Sequence, residues 1–367
     1  MKKFLAGISV AFCLLTAQAD GCGDFVRGVD MGWLTEMEHN GHYLYDSLGV
    51  RTEGTALMKQ YGIGAARFRV WVNPARHGNW CSKEDVLDKA LRAKALGMDI
   101  MLDFHYSDWW ADPGKQNIPE AWSGFTAEQA AEAVAAHTRE VLLFLKAYGV
   151  TPRWVQVGNE TTHGFLWSVR TDPQTGWPLP DSLGNNVITE DIARAETHPE
   201  AYARIFRAGC DAVKSVCPDA AVIVHLDDGF DAELYRWNLD ILRRGGARFD
   251  MVGMSLYPYW ALEGKKRATA AQAIADCVDN VRRVAERYGC DVMIVETGMD
   301  ALAPEEGYAQ LKRILHDMRT QTGGRCRGVF YWEPQCRPSQ YRLGAFDEAG
   351  RPTKIMQAFG EDARLHP

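Results

Sequence analysis

Short apolar or β-branched runs recur along the chain, separated by longer segments whose apolar residues have helical spacing. The runs are residues 25–31, 66–72, 99–105, 153–158, 221–226, 251–256, 291–296 and 328–332. Each has the length of an ordinary β-strand. Strands that are apolar throughout, alternating with amphipathic helices, predict a parallel sheet covered by helices.

The segments between the runs carry helix signals, of which the clearest is a capping box formed by Thr126 and Gln129. Predicted helices cover residues 52–61, the segments that start at Ser82 and Thr126, and residues 199–216, 232–244, 269–288, 305–319 and 353–359. Eight strands alternating with eight helices predict a single α/β domain, a (β/α)8 TIM barrel over residues 20–367. A doubly wound open sheet is the alternative, but no Gly-x-Gly-x-x-Gly follows the first strand.

The first nineteen residues have the pattern of a secretory signal peptide. Two lysines precede an apolar run over residues 4–15, and residues 17–19 form a small-x-small cleavage site. The run is too short to span a bilayer. Cys22 leaves a lipid anchor as an alternative, although residues 19–21 match that signal poorly. We expect a secreted, periplasmic or cell-surface protein without a membrane span.

Composition narrows the classes of partner. The chain has 367 residues, of which 46% are hydrophobic, and this predicts an ample core. Its net charge of −7 and the absence of long basic clusters argue against a nucleic-acid partner. Eight of the nine cysteines lie beyond the signal, which permits disulfides without fixing any pairing. Their spacing does not fit a zinc cluster, and we expect a monomer.

The carboxyl ends of barrel strands are where the chemistry of this fold lies. Glu160 and Glu296 stand at the ends of the fourth and seventh strands, where they would face each other across the barrel mouth. Glycoside hydrolysis needs this arrangement, with one carboxyl to protonate the leaving oxygen and one to attack the sugar. We expect Asn159 to bind a sugar hydroxyl and Arg69 to keep the nucleophile ionised. The alternatives are a strand-end ion pair, or Glu333 as the nucleophile.

Tryptophans are concentrated at or beyond the same strand ends. They are Trp33, Trp71, Trp109, Trp110, Trp122, Trp167, Trp177, Trp260 and Trp332. Flat rings stack on the apolar faces of sugars, although each ring could instead fill a gap under a loop.

Other polar residues at this rim are weaker candidates. His105 and His225 end strands and would bind substrate hydroxyls, unless each is hydrogen-bonded to the structure. Asp103, Asp227 and Asp228 are competing carboxylates. Asp108 either belongs to the groove or shapes its loop.

Several motifs resemble those of the endo-β-1,4-galactanases of glycoside hydrolase family 53. They are RGVDMGW (27–33), RVWVNP (69–74), DFHYSDWWADPGKQ (103–116), VGNE (157–160), HLDDG (225–229), SLYPYW (255–260), VETG (295–298) and YWEP (331–334). The resemblance implies a retaining enzyme that cuts β-1,4-galactan, with Glu160 as acid/base, Glu296 as nucleophile and Asn159 at the sugar 2-hydroxyl. It places these residues in the substrate groove: Trp71, Asp108, Trp109, His225 and Trp332. We add Arg69, His105, Asp227 and Tyr257 from their strand positions.

Two segments depart from the family pattern. Residues 168–198 are longer than usual, and residues 335–343 lack the acidic cluster with which some relatives bind calcium. We therefore expect neither a metal nor a cofactor. The sequence predicts a secreted retaining endo-β-1,4-galactanase that acts by double displacement on galactan and galacto-oligosaccharides. The alternatives are another retaining barrel glycanase, for mannan, xylan or β-glucan, and a non-catalytic glycan-capture protein.

Overall fold

Eight parallel strands hydrogen-bond in a closed ring in the computed structural model, which describes residues 25–172, 178–179, 182 and 187–366. The strands are β1 (Val26–Asp30), β2 (Ala65–Val70), β3 (Asp99–Phe104), β4 (Trp154–Val157), β5 (Ala221–Leu226), β6 (Met251–Leu256), β7 (Asp291–Thr297) and β8 (Cys326–Tyr331). Each strand pairs with its neighbours in the sequence, and β8 closes the ring on β1. The predicted TIM barrel is confirmed.

Helices lie between successive strands, as the apolar spacing predicted. They are α1 (Leu34–His39), α2 (Gly54–Gln60), α3 (Lys83–Ala95), α4 (Ala127–Ala147), α5 (Pro199–Val216), α6 (Ala232–Arg244), α7 (Pro258–Glu263), α8 (Ala270–Tyr288), α9 (Pro304–Thr320) and α10 (Gln357–Leu365). The sequence did not predict α1 and α7. Each has only six residues and lies in a loop that follows a strand. The capping box of Thr126 and Gln129 is present at the start of α4.

Two small antiparallel hairpins decorate the loops. One pairs Leu44–Tyr45 with Arg51–Thr52 after β1, and the other pairs Trp167–Val169 with Ile188–Asp191 after β4. The second hairpin belongs to the long segment 168–198, of which residues 173–177, 180–181 and 183–186 lie outside the described part. The signal segment, Cys22 and Trp177 lie outside it as well.

The interior of the barrel is layered. Each strand contributes to a small apolar cluster: Val26, Ala65, Met101, Trp154, Ile223, Met251, Met293, Val295 and Phe330. Phe330 fits there because β1 carries Gly28 opposite it, where a Cβ would lie 2.3 Å from the ring. Side chains alternate along a strand, so positions two residues further on face the same interior. On β2 to β5 those positions are polar: Arg67, Asp103, Gln156 and His225. The larger core lies between the strands and the helices.

The described cysteines are all buried and unpaired, so the part of the chain that the structure describes contains no disulfide. They are Cys81, Cys210, Cys217, Cys277, Cys290, Cys326 and Cys336. Among the described residues, no set of three or more His, Cys, Asp or Glu side chains converges as a metal site. No described helix is both long and apolar enough to cross a membrane.

Candidate active site

Four strand ends at one rim of the barrel are followed by a residue in left-handed backbone conformation that is not glycine. They are Tyr106, Glu160, Asp228 and Glu333, with φ between 44° and 49°. Such a residue costs on the order of 1–3 kcal/mol, and this kind of strain concentrates at functional sites. The rim formed by the carboxyl ends of the strands is therefore the place to look for chemistry.

A cavity of about 580 Å³ opens at this rim. Eight of the twelve predicted site residues line it: Glu160, Glu296, Asn159, His105, Trp109, Asp227, Tyr257 and Trp332. A larger cavity of about 830 Å³ lies beside α1 and α3. There Arg92 already pairs with Glu38 and Asp88. The rim cavity, whose carboxyl groups face open space, is the candidate active site.

Glu296 reaches this cavity through a shift in strand register. The pairing of β6 with β7 slips between Met254 and Ser255, so that Ser255 lies opposite Glu296 and Val295 is skipped. Val295 and Glu296 therefore both face the interior, although they are adjacent in sequence. Both carboxylate oxygens are bound: Arg67 Nη1 lies 2.8 Å from Oε1, and the Tyr257 hydroxyl donates to Oε2 at 2.9 Å.

Opposing effects set the pKa of Glu296. The net result is a pKa raised to about 7. Burial is the largest cause of the rise, and the carboxylates of Asp30 and Asp103 act in the same direction. The guanidinium of Arg67 and the hydroxyl of Tyr257 oppose the rise because they stabilise the charged form. Of the two candidate catalytic carboxyl groups, Glu160 and Glu296, only Glu296 has a cation beside it among the described residues.

Arg67 uses all five of its N–H donors inside the barrel. Its acceptors are Gln156 (2.6 Å), Asp30 (2.7 Å), Glu296 (2.8 Å), Asn159 (2.8 Å) and Asp103 (2.9 Å). The sequence prediction gave this contact with the nucleophile to Arg69 and was wrong. Both arginines face the interior, but Arg67 lies one layer deeper, directly above the apolar cluster. The sequence did hold a signal for Arg67, because two arginines two positions apart in one buried strand must face the same side.

Arg69 serves a different part of the rim. Its Nη1 forms an ion pair with Glu333 and lies 3.4 Å from Asp30. Its guanidinium lies 4.1 Å from the ring centroid of Trp110. Glu333 also accepts the backbone N–H of Trp33 at 3.1 Å, and its side chain is fully buried. Glu333 is therefore an ion-pair partner that holds the rim, which disfavours it as a nucleophile.

Glu160 lies in the opposite electrostatic environment. Burial raises its pKa well above the usual value, and the negative charges of Glu296 and Asp227 raise it further. Its Oε1 lies 2.6 Å from Ser255 Oγ, and no cation contacts its carboxyl among the described residues. Glu160 therefore holds a proton at a pH at which Glu296 has begun to lose its own. This is the separation of two carboxyl groups into an acid and an anion.

Two predicted histidines occupy different depths. His105 lines the cavity; its Nε2 lies 3.1 Å from Asp103, and its Nδ1 accepts from the Ala111 amide and from Trp71 Nε1. His225 has no exposed surface, and both of its ring nitrogens contact protein groups. The predicted contact between His225 and substrate is therefore replaced by contacts within the protein.

A sequence model of glycosyl hydrolase family 53 matches residues 26–363. The chain belongs to glycosyl hydrolase family 53. An uncharacterized protein of Niallia circulans is 32% identical, with 86% of this chain and 85% of that protein covered. The endo-β-1,4-galactanase of Bacillus subtilis is 28% identical, with 86% and 71% covered. The family 53 catalytic domain of Ignisphaera aggregans superposes with a TM-score of 0.76 at 27% identity, covering 92% of this chain and 95% of that one.

In this family 53 chain the rings divide into two groups. Trp33, Trp109, Trp110, Trp260 and Trp332 line the cavity, and Trp33 contacts both Trp110 and Trp332 edge to face, at 5.3 and 5.1 Å. Trp71, Trp122 and Trp167 are buried and support the loops, which is the alternative that the sequence left open. Trp71 packs against Trp109 from behind, with ring centroids 4.9 Å apart.

Asp108 also supports the rim from behind. One carboxylate oxygen accepts the backbone N–H of Asn73 and the other that of Glu120, each at 2.9 Å. It therefore ties the loop after β2 to the loop after β3, and its predicted place in the substrate groove is corrected to loop shaping.

The sequence missed Arg67, Ser255 and Tyr341 at the site. Ser255 and Tyr341 line the cavity, but a serine inside an apolar run and a tyrosine in a loop gave no signal by themselves.

Proposed function

We propose that the protein is a retaining endo-β-1,4-galactanase. The observation that carries this proposal is the pair Glu160 and Glu296, which share one open cavity in opposite electrostatic environments. Membership of family 53 and the named activity of the Bacillus subtilis relative favour galactan over mannan, xylan or β-glucan.

The two carboxyl groups divide the work of a double displacement. Glu296, held by Arg67 and Tyr257, attacks the anomeric carbon, while Glu160 gives its proton to the departing glycosidic oxygen. A covalent glycosyl-enzyme and a shortened galactan result. Glu160, now a carboxylate, then takes a proton from water as that water attacks the anomeric carbon and releases Glu296. These steps use only carboxyl groups and water.

The cavity walls suit a polysaccharide. Five tryptophan rings in the cavity wall offer flat apolar surfaces to pyranose rings, and Asn159, His105 and Asp227 offer polar groups to sugar hydroxyls. We assign Asn159 to the 2-hydroxyl of the sugar that is attacked. A groove open to solvent admits the middle of a chain, which is what endo action requires.

We further propose that residues 1–19 direct export and are removed, so that the barrel acts outside the cytoplasm as a monomer. Polymeric galactan is too large to enter a cell, which places its hydrolysis at the surface or beyond. The alternative within this proposal is a lipid anchor at Cys22 that would hold the exported barrel at a membrane surface.

The direct test is digestion of potato-type galactan by the purified protein, with mannan, xylan and β-glucan as parallel substrates. We expect reducing ends from galactan alone, a spread of early oligosaccharides, and β-anomers as first products in a proton NMR time course. Binding without release of reducing ends would instead support glycan capture, and α-anomers would contradict retention.

Substitution of the nucleophile gives the second test. Glu296→Gln keeps the shape of the side chain, and we expect it to lower kcat by at least 10³-fold with an unchanged circular dichroism spectrum, because covalent catalysis is lost. Glu333→Gln is the matched control, since it alters the other buried strand-end glutamate. Greater loss of kcat in Glu333→Gln than in Glu296→Gln would reassign the nucleophile.

A further inference from the structure

Four buried polar groups form a continuous row that ends at the carboxyl of Glu160. Ser255 Oγ lies 2.6 Å from Glu160 Oε1 and 2.9 Å from His225 Nε2. The other ring nitrogen, Nδ1, lies 3.0 Å from Asn159 Oδ1. His225 has no exposed surface and so reaches no substrate directly. The nitrogen and oxygen atoms of His225 and Ser255 determine where the hydrogens of the row lie.

The direction of the row is fixed at its far end by Arg67. A guanidinium only donates, and Arg67 Nη2 lies 2.8 Å from Asn159 Oδ1. Asn159 Nδ2 donates to the Ala111 carbonyl at 2.7 Å, which confirms the orientation of the amide. An acceptor oxygen 3.0 Å from His225 Nδ1 requires a hydrogen on that nitrogen. The Glu160 backbone N–H also points at Nδ1, but over a longer 3.4 Å.

The other ring nitrogen then carries a lone pair. Burial lowers the pKa of His225 well below its usual value, and the positive charges of Arg67 and of His105, when it is protonated, lower it further. A neutral imidazole with hydrogen on Nδ1 accepts at Nε2. Ser255 has a single hydrogen, and it points to His225. The hydroxyl therefore turns a lone pair toward Glu160 Oε1, and a hydrogen in that 2.6 Å contact belongs to the carboxyl.

We propose that His225 and Ser255 are positioning residues that keep Glu160 in its acid form in the resting enzyme. This rests on the proposed role of Glu160 as the acid/base. A half-turn of the carboxyl group presents its proton to a glycosidic oxygen and turns the bare oxygen to Ser255. The hydroxyl of Ser255 then rotates from His225 to this oxygen. His225 Nε2 is left without a donor, which favours return of the hydroxyl once Glu160 has regained its proton.

The remaining charged groups around Glu160 act in the same direction. Glu296 on β7, Asp227 after β5 and Asp112 after β3 all disfavour a second negative charge. A serine that donates to the carboxylate has the opposite effect and lowers the pKa of Glu160. Removal of the Ser255 hydroxyl therefore tells the two directions apart. The pKa of Glu160 falls if Ser255 accepts from the protonated carboxyl, and it rises if Ser255 donates to the carboxylate.

The first experiment reads the tautomer of His225 in the full protein without substrate. Protein labelled with ¹⁵N-histidine is examined by two-dimensional ¹H–¹⁵N NMR, and the His225 signals are those missing from His225→Gln. We expect a neutral ring with hydrogen on Nδ1 from pH 5 to 8. Hydrogen on Nε2, or an imidazolium, overturns the proposal. The result does not depend on which glycan is cleaved.

The second experiment measures the pH profile of kcat/KM on galactan for Ser255→Ala. We expect the basic limb to move down by about one pH unit, the equivalent of one ordinary hydrogen bond. We expect kcat to fall about tenfold, less than the 10²–10⁴-fold of general acid catalysis, with little change in KM. Ser255→Thr restores a hydroxyl and should restore the limb. Ser215→Ala, a serine of α5 bound to the Ala212 carbonyl, is the control.

An unchanged or raised basic limb in Ser255→Ala contradicts the proposal. If Ser255→Ala fails to fold, Ser255→Thr and the tautomer measurement still decide it. Failure of the wild-type protein to cleave galactan overturns the proposed function instead, and it leaves the NMR result intact.

Discussion

Arg67 shows how much of the site rests on one residue. It is fully buried, and it joins three acids and two amides from four different strands and the residues that follow them. A buried charge is tolerated only when its partners replace the water it has lost. By contrast Arg69, with the same burial, leaves Nε and Nη2 without a hydrogen-bond partner among the described residues. The two arginines therefore differ in function although they are two positions apart.

The substitution Arg67→Lys tests this difference, because lysine keeps the charge but not the planar fork. We expect a loss of about 1.5–3 kcal/mol in the free energy of unfolding, the value of a hydrogen bond to a charged group. The Arg67 guanidinium lowers the pKa of Glu296 from 2.8 Å away. The shorter lysine holds its charge further from Glu296, so that pKa rises. Since the nucleophile must be ionised, the acid limb of kcat/KM should move to higher pH.

Arg69→Lys is the control for the pH profile. It disturbs the ion pair with Glu333 and should also destabilise the fold, but the acid limb should stay in place. Equal movement of the acid limb in both variants would show that either arginine sets the ionisation of Glu296.

At the scale of elements, strand register and helix caps do separate jobs. The register shift between β6 and β7 turns Glu296 into the cavity, whereas the caps stabilise helices that surround the barrel. The start of α4 is the clearest case: Thr126 accepts from the Gln129 amide, and the Gln129 side chain accepts from the Thr126 amide. Its spacing made this helix start readable from the sequence alone.

Removal of this cap by Thr126→Ala should lower the free energy of unfolding by about 1 kcal/mol, since the Gln129 amide loses its partner. Denaturation in urea measures the change, and kcat on galactan should be unaffected. Thr320→Ala at the end of α9, where the hydroxyl binds the His316 carbonyl at the surface, should change stability by less than about 0.5 kcal/mol. An equal loss of unfolding free energy in both variants would show that the capping box contributes no more than an ordinary surface hydrogen bond.

For the whole molecule, closure of the sheet does two things. It brings Glu160 and Glu296, which are 136 residues apart in sequence, to one rim. It also supplies a large core, and the seven described cysteines lie buried without a disulfide. Burial raises the pKa of several of these thiols, including Cys277 and Cys336, which further suppresses their reaction.

The cysteines give a prediction for the molecule as a whole. The midpoint of thermal unfolding should be the same with and without dithiothreitol. The thiols of Cys81, Cys210, Cys217, Cys277, Cys290, Cys326 and Cys336 should react with Ellman's reagent only after denaturation. A lower midpoint in the reductant would reveal a structural disulfide and contradict the unpaired arrangement.

The sequence by itself determined the barrel and the candidate carboxyl pair. Apolar runs of strand length define the strands, and residues that follow a parallel strand share one rim whatever the details of packing. Glu160, Glu296 and the cavity-lining tryptophans could therefore be located from position alone. The capping box was also readable because it depends on residues three apart.

Only the tertiary structure decided which side chains touch. Alternation along a strand gives the face of a residue but not its depth, so Arg67 and Arg69 looked equivalent. The neighbours of His225 and Ser255 come from other strands, and the register shift that aims Glu296 leaves no local mark in the sequence. Contacts of this kind depend on the stagger between strands around the closed ring, which no single strand encodes.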